Sequence, residues 1–106
     1  MPMDDQAAFM ELLADVKLNL NITWADEGTD RKVTGIIRNC IIYFKNRLDG
    51  SADVSQPGLL RELFMDRCRY AYNEVLDAFE DNYRSLLVTL VNDWRLDHET
   101  TTDQEP

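Results

Sequence analysis

The sequence has little of what most catalytic and metal sites need. Its 106 residues include one histidine, His98, two cysteines, Cys40 and Cys68, and four scattered glycines. Four isolated glycines do not form a phosphate-binding loop, and one imidazole with two separate thiols does not supply the ligands of a zinc site. The cysteines lie in apolar helical patterns, which indicates buried free thiols. We therefore expect no enzyme, no cofactor and no metal.

Long apolar runs and positive charge are also scarce. The longest uncharged apolar stretch, Ser85 to Asn92, is far shorter than the roughly 20 residues of a membrane-spanning helix, so we expect no contact with a membrane. The N-terminus, Met1 to Asp5, is acidic where a secretory signal is basic, which favours a cytoplasmic protein. With 20 acidic residues against 11 Lys and Arg, the net charge is -9. This charge argues against a free-standing DNA-binding protein, because it repels phosphates.

The charge is unevenly distributed along the chain. Residues 1–28 carry a net charge of -5, residues 29–72 carry +3 and residues 73–106 carry -7. A basic middle between acidic ends suits copies of the chain that meet through unlike sides.

What the sequence does contain is helical periodicity, with apolar residues at steps of three and four and no stretch of the period two that marks a strand. The first helix is predicted to start after Asp4 or Asp5, and Ile22 to Trp24 to form an extended exit from it. The second, capped by Asp26 or Thr29, has seven apolar residues on one side, namely Val33, Ile36, Ile37, Cys40, Ile41, Phe44 and Leu48. We expect it to end at Asp49-Gly50, with the glycine in the left-handed conformation.

A polar connection, residues 49–56, leads to a third helical pattern with Pro57 in its first turn. This pattern continues to Trp94 and is too long for one helix of a compact domain, so we predict a break near Asp81-Asn82, with Asn73 as the second candidate. The sequence thus predicts an all-α protein, a small bundle of about four helices. Residues 1–96 form the single domain, and residues 97–106 form a flexible, disordered acidic tail.

Two features of the second helix are candidates for a contact surface. Arg31, Arg38 and Lys45 are seven residues apart and share a stripe. The stripe suits a solvated edge as well as it suits a contact with nucleic acid or an acidic neighbour. Of these two contacts, the two acidic segments of the chain favour the acidic neighbour. Ile42 and Tyr43 lie off the main apolar stripe and are either ordinary core or part of a protein-protein surface. Trp24, in the preceding loop, poses the same question.

Several short motifs follow one another in a particular order and spacing. They are Leu13 to Trp24, Asp26-Glu27, Thr29 to Lys32, Ile36-Ile37, Tyr43, Gly58-Leu59, Arg61 to Leu63, Asp66 to Tyr70 and Phe79 to Leu87. Together they resemble the head-tail connector (adaptor) proteins of long-tailed bacteriophages and prophages. The resemblance covers residues 11 to 90 and departs from the family after Val91, where many relatives stop and this chain adds an acidic tail.

The resemblance implies a structural protein of the virion, assembled in the bacterial cytoplasm and placed at the head-tail junction. Subunits of this family form a ring, typically of about twelve copies, below the portal protein. The ring extends the DNA channel, so that DNA only passes through, and it docks the downstream head-completion or tail protein. No catalytic residue is implied, and the interface residues that we predict are Trp24, Arg31, Arg38, Ile42, Tyr43 and Lys45.

Three other functions remain open at this point. A cytoplasmic helical interaction or regulatory module would bind one partner without forming a ring. A helix-turn-helix protein would use Arg61, Arg67 and Arg69 on DNA, although Asp66 lies among them and the three do not share one face. An enzyme would need an active-site pocket, and the composition gives no indication of one.

Overall fold

Four α-helices make up most of the computed structural model, which describes residues 2–103 and the side chains of residues 6–97. They are α1 (Pro2–Asn19), α2 (Glu27–Arg47), α3 (Leu59–Tyr72) and α4 (Phe79–Asp103), and a 3-10 turn, Leu76–Ala78, precedes α4. Residues 2–103 contain no strand. The prediction of an all-α bundle of about four helices is confirmed.

Consecutive helices run in opposite directions, as short connections between bundled helices favour. Lys17 near the end of α1 pairs with Asp30 near the start of α2 at 2.6 Å. Phe9 lies two turns before Lys17 in α1, and its ring contacts Arg38, which lies two turns after Asp30 in α2. The two helices are therefore antiparallel. The same reversal relates α2 to α3 and α3 to α4.

All four helices contribute to one core. Its largest fully buried side chains are Phe44, Phe64, Phe79, Ile37, Leu63, Val16, Val33, Cys40 and Cys68. The buried residues of α2 follow the predicted steps of three and four, because that spacing keeps one side of a helix against its neighbours. Both cysteines are buried free thiols, as the sequence predicts.

The molecule is a flat slab with extents of 54 × 37 × 19 Å. Helices are about 10 to 12 Å wide with their side chains, so the thin dimension holds no more than about two layers of helix. With 25 residues against 14 in α3, α4 is longer than α3 by about 16 Å at 1.5 Å per residue. Both broad sides of the slab therefore leave helix surface exposed to solvent.

Helix α1 differs from the prediction at its start and agrees with it at its end. It begins at Pro2, before Asp4 and Asp5, because proline fits the first helical position, where no N–H is needed. Asn21, with a φ of 63°, turns the chain out of the helix in the left-handed conformation that asparagine tolerates. Asp26 caps α2 by accepting a hydrogen bond from the Thr29 N–H at 2.8 Å.

The connection from α2 to α3 corrects three predictions. Helix α2 ends at Arg47, and Gly50 does not take a positive φ, because the Asp49 carboxylate accepts the Ser51 N–H at 2.7 Å and closes the turn instead. Helix α3 begins two residues after Pro57, with Gly58 as its cap at a φ of 139°. The connection is not wholly polar either, since it buries two side chains, those of Ala52 and Val54.

The long third pattern breaks at the second candidate position. Asn73 caps α3 and Glu74 takes a φ of 63°, which lets the Val75 N–H bond back to the Tyr70 carbonyl at 2.9 Å. Near the first candidate, Asp81-Asn82, α4 only kinks, at Tyr83 with φ -114° and ψ 16°. Helix α4 then continues through residues 97–103 of the predicted tail. Residues 104–106 lie outside the described residues, so the flexibility of the tail stays a prediction.

Candidate protein-protein interface

One side of α2 is exposed along most of its length. Steps of four, three, four and three residues connect Arg31, Gly35, Arg38, Ile42 and Lys45, a spacing that holds them on one side of a helix. All five are exposed, and the buried residues of α2 lie away from them, against α1 and α3. We call these five residues the basic face.

The bases of this face do not take part in the ion pairs of the bundle. Six ion pairs join described side chains, and their bases are Lys17, Lys32, Arg47, Arg61, Arg69 and Arg84. Arg38 lies with its guanidinium 5.2 Å from the centre of the Phe9 ring, which fixes its direction without neutralising it. Charge that is left unneutralised on a surface attracts an acidic partner.

Two residues of the basic face lie outside the hydrophobic core of their own chain. Ile42 is 56% exposed between Arg38 and Lys45. Gly35 lies in the interior of α2, and no heavy atom comes within 4 Å of where its Cβ would be. Glycine within a helix costs about 0.5 to 1 kcal/mol relative to alanine, and nothing inside the bundle requires that cost. A surface that approaches α2 closely would require it.

Tyr43 does not lie with the other predicted interface residues. Its ring packs edge-on against Phe44 at 5.0 Å, and the Arg67 guanidinium lies over it at 3.6 Å. Its hydroxyl accepts a hydrogen bond from Arg47 Nε at 2.7 Å and donates one to Glu80 Oε2 at 2.8 Å. Tyr43 therefore joins α2 to α3 and to the start of α4 inside one molecule.

The hydrogen bonds of this cluster fix its protonation. Burial, and then the hydrogen bond to Glu80, raise the pKa of Tyr43. The bond to Glu80 raises the pKa of Arg47, and the bonds from Arg47 and then Tyr43 lower the pKa of Glu80. Near neutral pH the tyrosine is neutral and the arginine and glutamate are charged. This is a structural link and not an acid-base pair.

Trp24 lies in the connection between α1 and α2, half exposed. Its indole Nε1 donates a hydrogen bond to Thr29 Oγ1 at 3.4 Å, and that hydroxyl bonds in turn to Asp26. The tryptophan thus borders the start of α2 and is not on the basic face. Of the six predicted interface residues, the structure brings Arg31, Arg38, Ile42 and Lys45 together.

A second surface, which the sequence does not predict, is a groove between the connection 51–58, the start of α3 and the last part of α4. It has a volume of about 440 Å³. Leu59, Leu60 and Leu90 line it with apolar surface. Its lining also includes Asp53, Asp93, Trp94 and Asp97. We call it the acidic groove.

The carboxylate of Asp53 is held in its charged form. Hydrogen bonds from the hydroxyl and then the backbone N–H of Ser55 lower the pKa of Asp53, and the nearby ammonium of Lys45 adds a smaller contribution. The basic face and the acidic groove thus come near one another at Lys45 and Asp53. The sequence carries no periodic signal for this groove, because its lining comes from three elements of the chain, the connection, α3 and α4.

The arginines of the helix-turn-helix alternative are occupied within the bundle. Arg61 pairs with Asp15 at 2.9 Å, Arg69 pairs with Asp66 at 3.3 Å, and Arg67 stacks on Tyr43. Contacts with DNA phosphates would have to replace these interactions.

No protein-family model, curated protein or solved structure matches this chain. The resemblance to head-tail connectors therefore stays a prediction that depends on the quoted motifs. Among the described residues, no helix combines the length and apolar character needed to cross a bilayer, and no three His, Cys, Asp or Glu side chains are grouped to hold a metal ion.

Proposed function

We propose that this chain is a structural head-tail connector of a long-tailed bacteriophage or prophage, which forms a ring with copies of itself below the portal. The observation that carries the proposal is the separation of charge between two exposed surfaces. Arg31, Arg38 and Lys45 are exposed on the basic face, whereas aspartates edge the acidic groove. The motifs similar to connector proteins give the proposal its biological setting.

A ring needs two different surfaces on every subunit. One surface of each copy meets the other surface of the next copy, and the contact repeats until the circle closes. A protein with unlike charges on different helices has this property, whereas one uniformly charged surface would keep the copies apart. The segregated charge of this small bundle therefore supports a ring, and the resemblance to connector proteins implies about twelve copies in it.

The other partners follow from the position of such a ring. The portal protein would contact one end of the ring, and a head-completion or tail protein the other end. DNA would pass through the channel without specific contacts, which suits a chain with a net charge of -9 because like charges repel. The role is structural and not enzymatic, at the head-tail junction of the virion, with assembly in the host cytoplasm.

The mass of the protein in solution, measured by light scattering with and without the portal protein of the same phage, tests this proposal. We expect closed rings, or stoichiometric capture on the portal. A variant with Arg31, Arg38 and Lys45 all changed to glutamate should do neither while keeping its helix content. A wild-type chain that ignores the portal and stays a monomer or closed dimer would contradict the proposal and favour an interaction module that forms no ring.

A further inference from the structure

The basic face has a shape and chemistry suited to insertion into a groove on a partner. It is the convex side of a helix, with the half-exposed Ile42 between Arg38 and Lys45. These two bases are about 10 Å apart along the helix at 1.5 Å per residue. An apolar side chain between two cations fits a concave apolar surface with carboxylates on either side.

The acidic groove has the complementary design. Leu60 and Leu90 give it an apolar lining, and two carboxylates also line it, Asp53 from the connection and Asp93 from α4. Its volume of about 440 Å³ is in the range of sites that bury a side chain or small ligand. Asp53 already lies near Lys45 of its own chain, whereas Asp93 takes part in none of the six ion pairs between described side chains. Asp93 is therefore the carboxylate that best suits a base from another copy.

We propose that the acidic groove receives the basic face of a second copy of this chain, with Ile42 between the leucines and Arg38 opposite Asp93. A copy cannot fill its own groove, because α2 and the groove belong to one packed bundle. The inference rests on the proposed function and deepens it, since it names the two surfaces that neighbouring subunits contribute.

Another groove of the molecule does not fit the basic face. It lies beside the start of α4, has a volume of about 290 Å³ and is lined by Arg47, Arg84 and Val88. Arg47 already pairs there with Glu80, the carboxylate among the lining residues of that groove, so Glu80 is not available to a face that carries three bases. Nucleic acid is disfavoured as the occupant of the basic face as well, because the net charge of -9 opposes phosphate.

Charge reversal with restoration tests the pairing. Arg38→Glu and Asp93→Arg should each weaken self-association on the order of 10- to 100-fold, because each places like charges together. The double variant Arg38→Glu/Asp93→Arg recreates an opposite pair at every contact and should regain most of the association. Sedimentation velocity at low ionic strength, where surface charges are least screened, measures all three. Arg95→Glu, the same change at an exposed site of α4 outside both surfaces, should leave association unchanged.

A second pair of variants tests the apolar part of the contact. Ile42→Asp should abolish self-association, whereas Val88→Asp should not, although Val88 is exposed to a similar extent, 53% against 56%. Circular dichroism should show the same helix content for both. Association that survives Ile42→Asp, or that is lost equally with Val88→Asp, would overturn the inference.

The outcomes separate the inference from the proposed function. If the wild type associates and the double variant regains nothing, or if Arg95→Glu acts like Arg38→Glu, the pairing is wrong although a ring is still allowed. A wild type that remains monomeric up to about 1 mM also overturns the pairing, and capture on the portal then decides the function on its own. Association that follows the pairing but stops at a closed dimer supports the inference and counts against the ring.

Discussion

Replacing Gly35 by alanine should stabilise the isolated chain and weaken its self-association. The residue lies in the interior of the 21-residue helix α2, with helical backbone and no heavy atom within 4 Å of the position of a Cβ. An added methyl group therefore meets nothing in the same molecule. Because glycine loses more backbone freedom on folding than alanine, we expect a gain of about 0.5 to 1 kcal/mol in the free energy of unfolding.

Thermal unfolding of the dilute protein measures this gain. One kcal/mol corresponds to a shift of about 4 to 8 °C in Tm for a domain near this size, so Gly35→Ala should raise Tm by about 2 to 8 °C. Gly58→Ala is the matched control. Gly58 also has no heavy atom within 4 Å of a Cβ, but its φ is 139°, in a region that only glycine adopts readily. There alanine should cost about 1 to 3 kcal/mol.

The stability and the self-association of Gly35→Ala together show whether a second surface approaches this glycine. A Gly35→Ala variant less stable than the wild type would mean that the surroundings of this position on α2 differ from the structure. A stabilised variant that associates as strongly as the wild type would mean that no second surface approaches Gly35 closely. Gain of stability with loss of association is the combination expected for a glycine kept for an intermolecular contact.

Three more predictions address the core, the Tyr43 cluster and the cap of α2. Phe44→Ala, at a fully buried position, should cost about 3 to 5 kcal/mol in urea unfolding, and a loss below about 1 kcal/mol would contradict the core described. Tyr43→Asp should clearly lower Tm, whereas Ile42→Asp should change the free energy of unfolding by no more than about 0.5 kcal/mol. If both variants lost the same stability, the structure would be wrong about the burial of Tyr43 or the exposure of Ile42. The N–H and then the hydroxyl of Thr29 lower the pKa of Asp26, so its stabilisation is present above the unfolded pKa and lost as pH falls through the lower folded value. Asp26→Asn should flatten the fall in stability below about pH 4, and an unchanged slope would contradict this cap.

The sequence predicts the sides of the helices better than their ends. The buried side of α2 is visible as a spacing because burial repeats every three to four residues. The ends depend on which of several local hydrogen bonds forms. The sequence predicts that α2 ends at Gly50, but the Ser51 N–H donates its hydrogen bond to the Asp49 carboxylate. Such competition between neighbouring groups leaves no periodic pattern in the sequence.

The part of the interface that lies on a single helix is predictable from the sequence, and the part that joins distant segments is not. The stripe of Arg31, Arg38 and Lys45 is visible in the sequence because it is a property of one helix. The sequence does not show that Tyr43 belongs to a different cluster, because its hydrogen-bond partner Glu80 lies 37 residues later and becomes a neighbour only when the chain turns after α3. The acidic groove depends on that turn as well, since it brings Leu60 next to Leu90.

The proposed contact is small, and its strength in a ring comes from closure. One isoleucine in a groove with a few exposed ion pairs is weak between two free copies, because each surface pair contributes about 1 kcal/mol or less and association loses rotational and translational freedom. In a closed ring every copy uses both surfaces, so each is held twice and the second contact forms at a high effective concentration. If the proposed ring forms, copies that are charged alike overall, at -9 each, would stay apart when dilute and would assemble when a partner such as the portal binds several of them. Weak, salt-sensitive contacts between free copies are therefore what this surface should show, even if the assembled ring is stable.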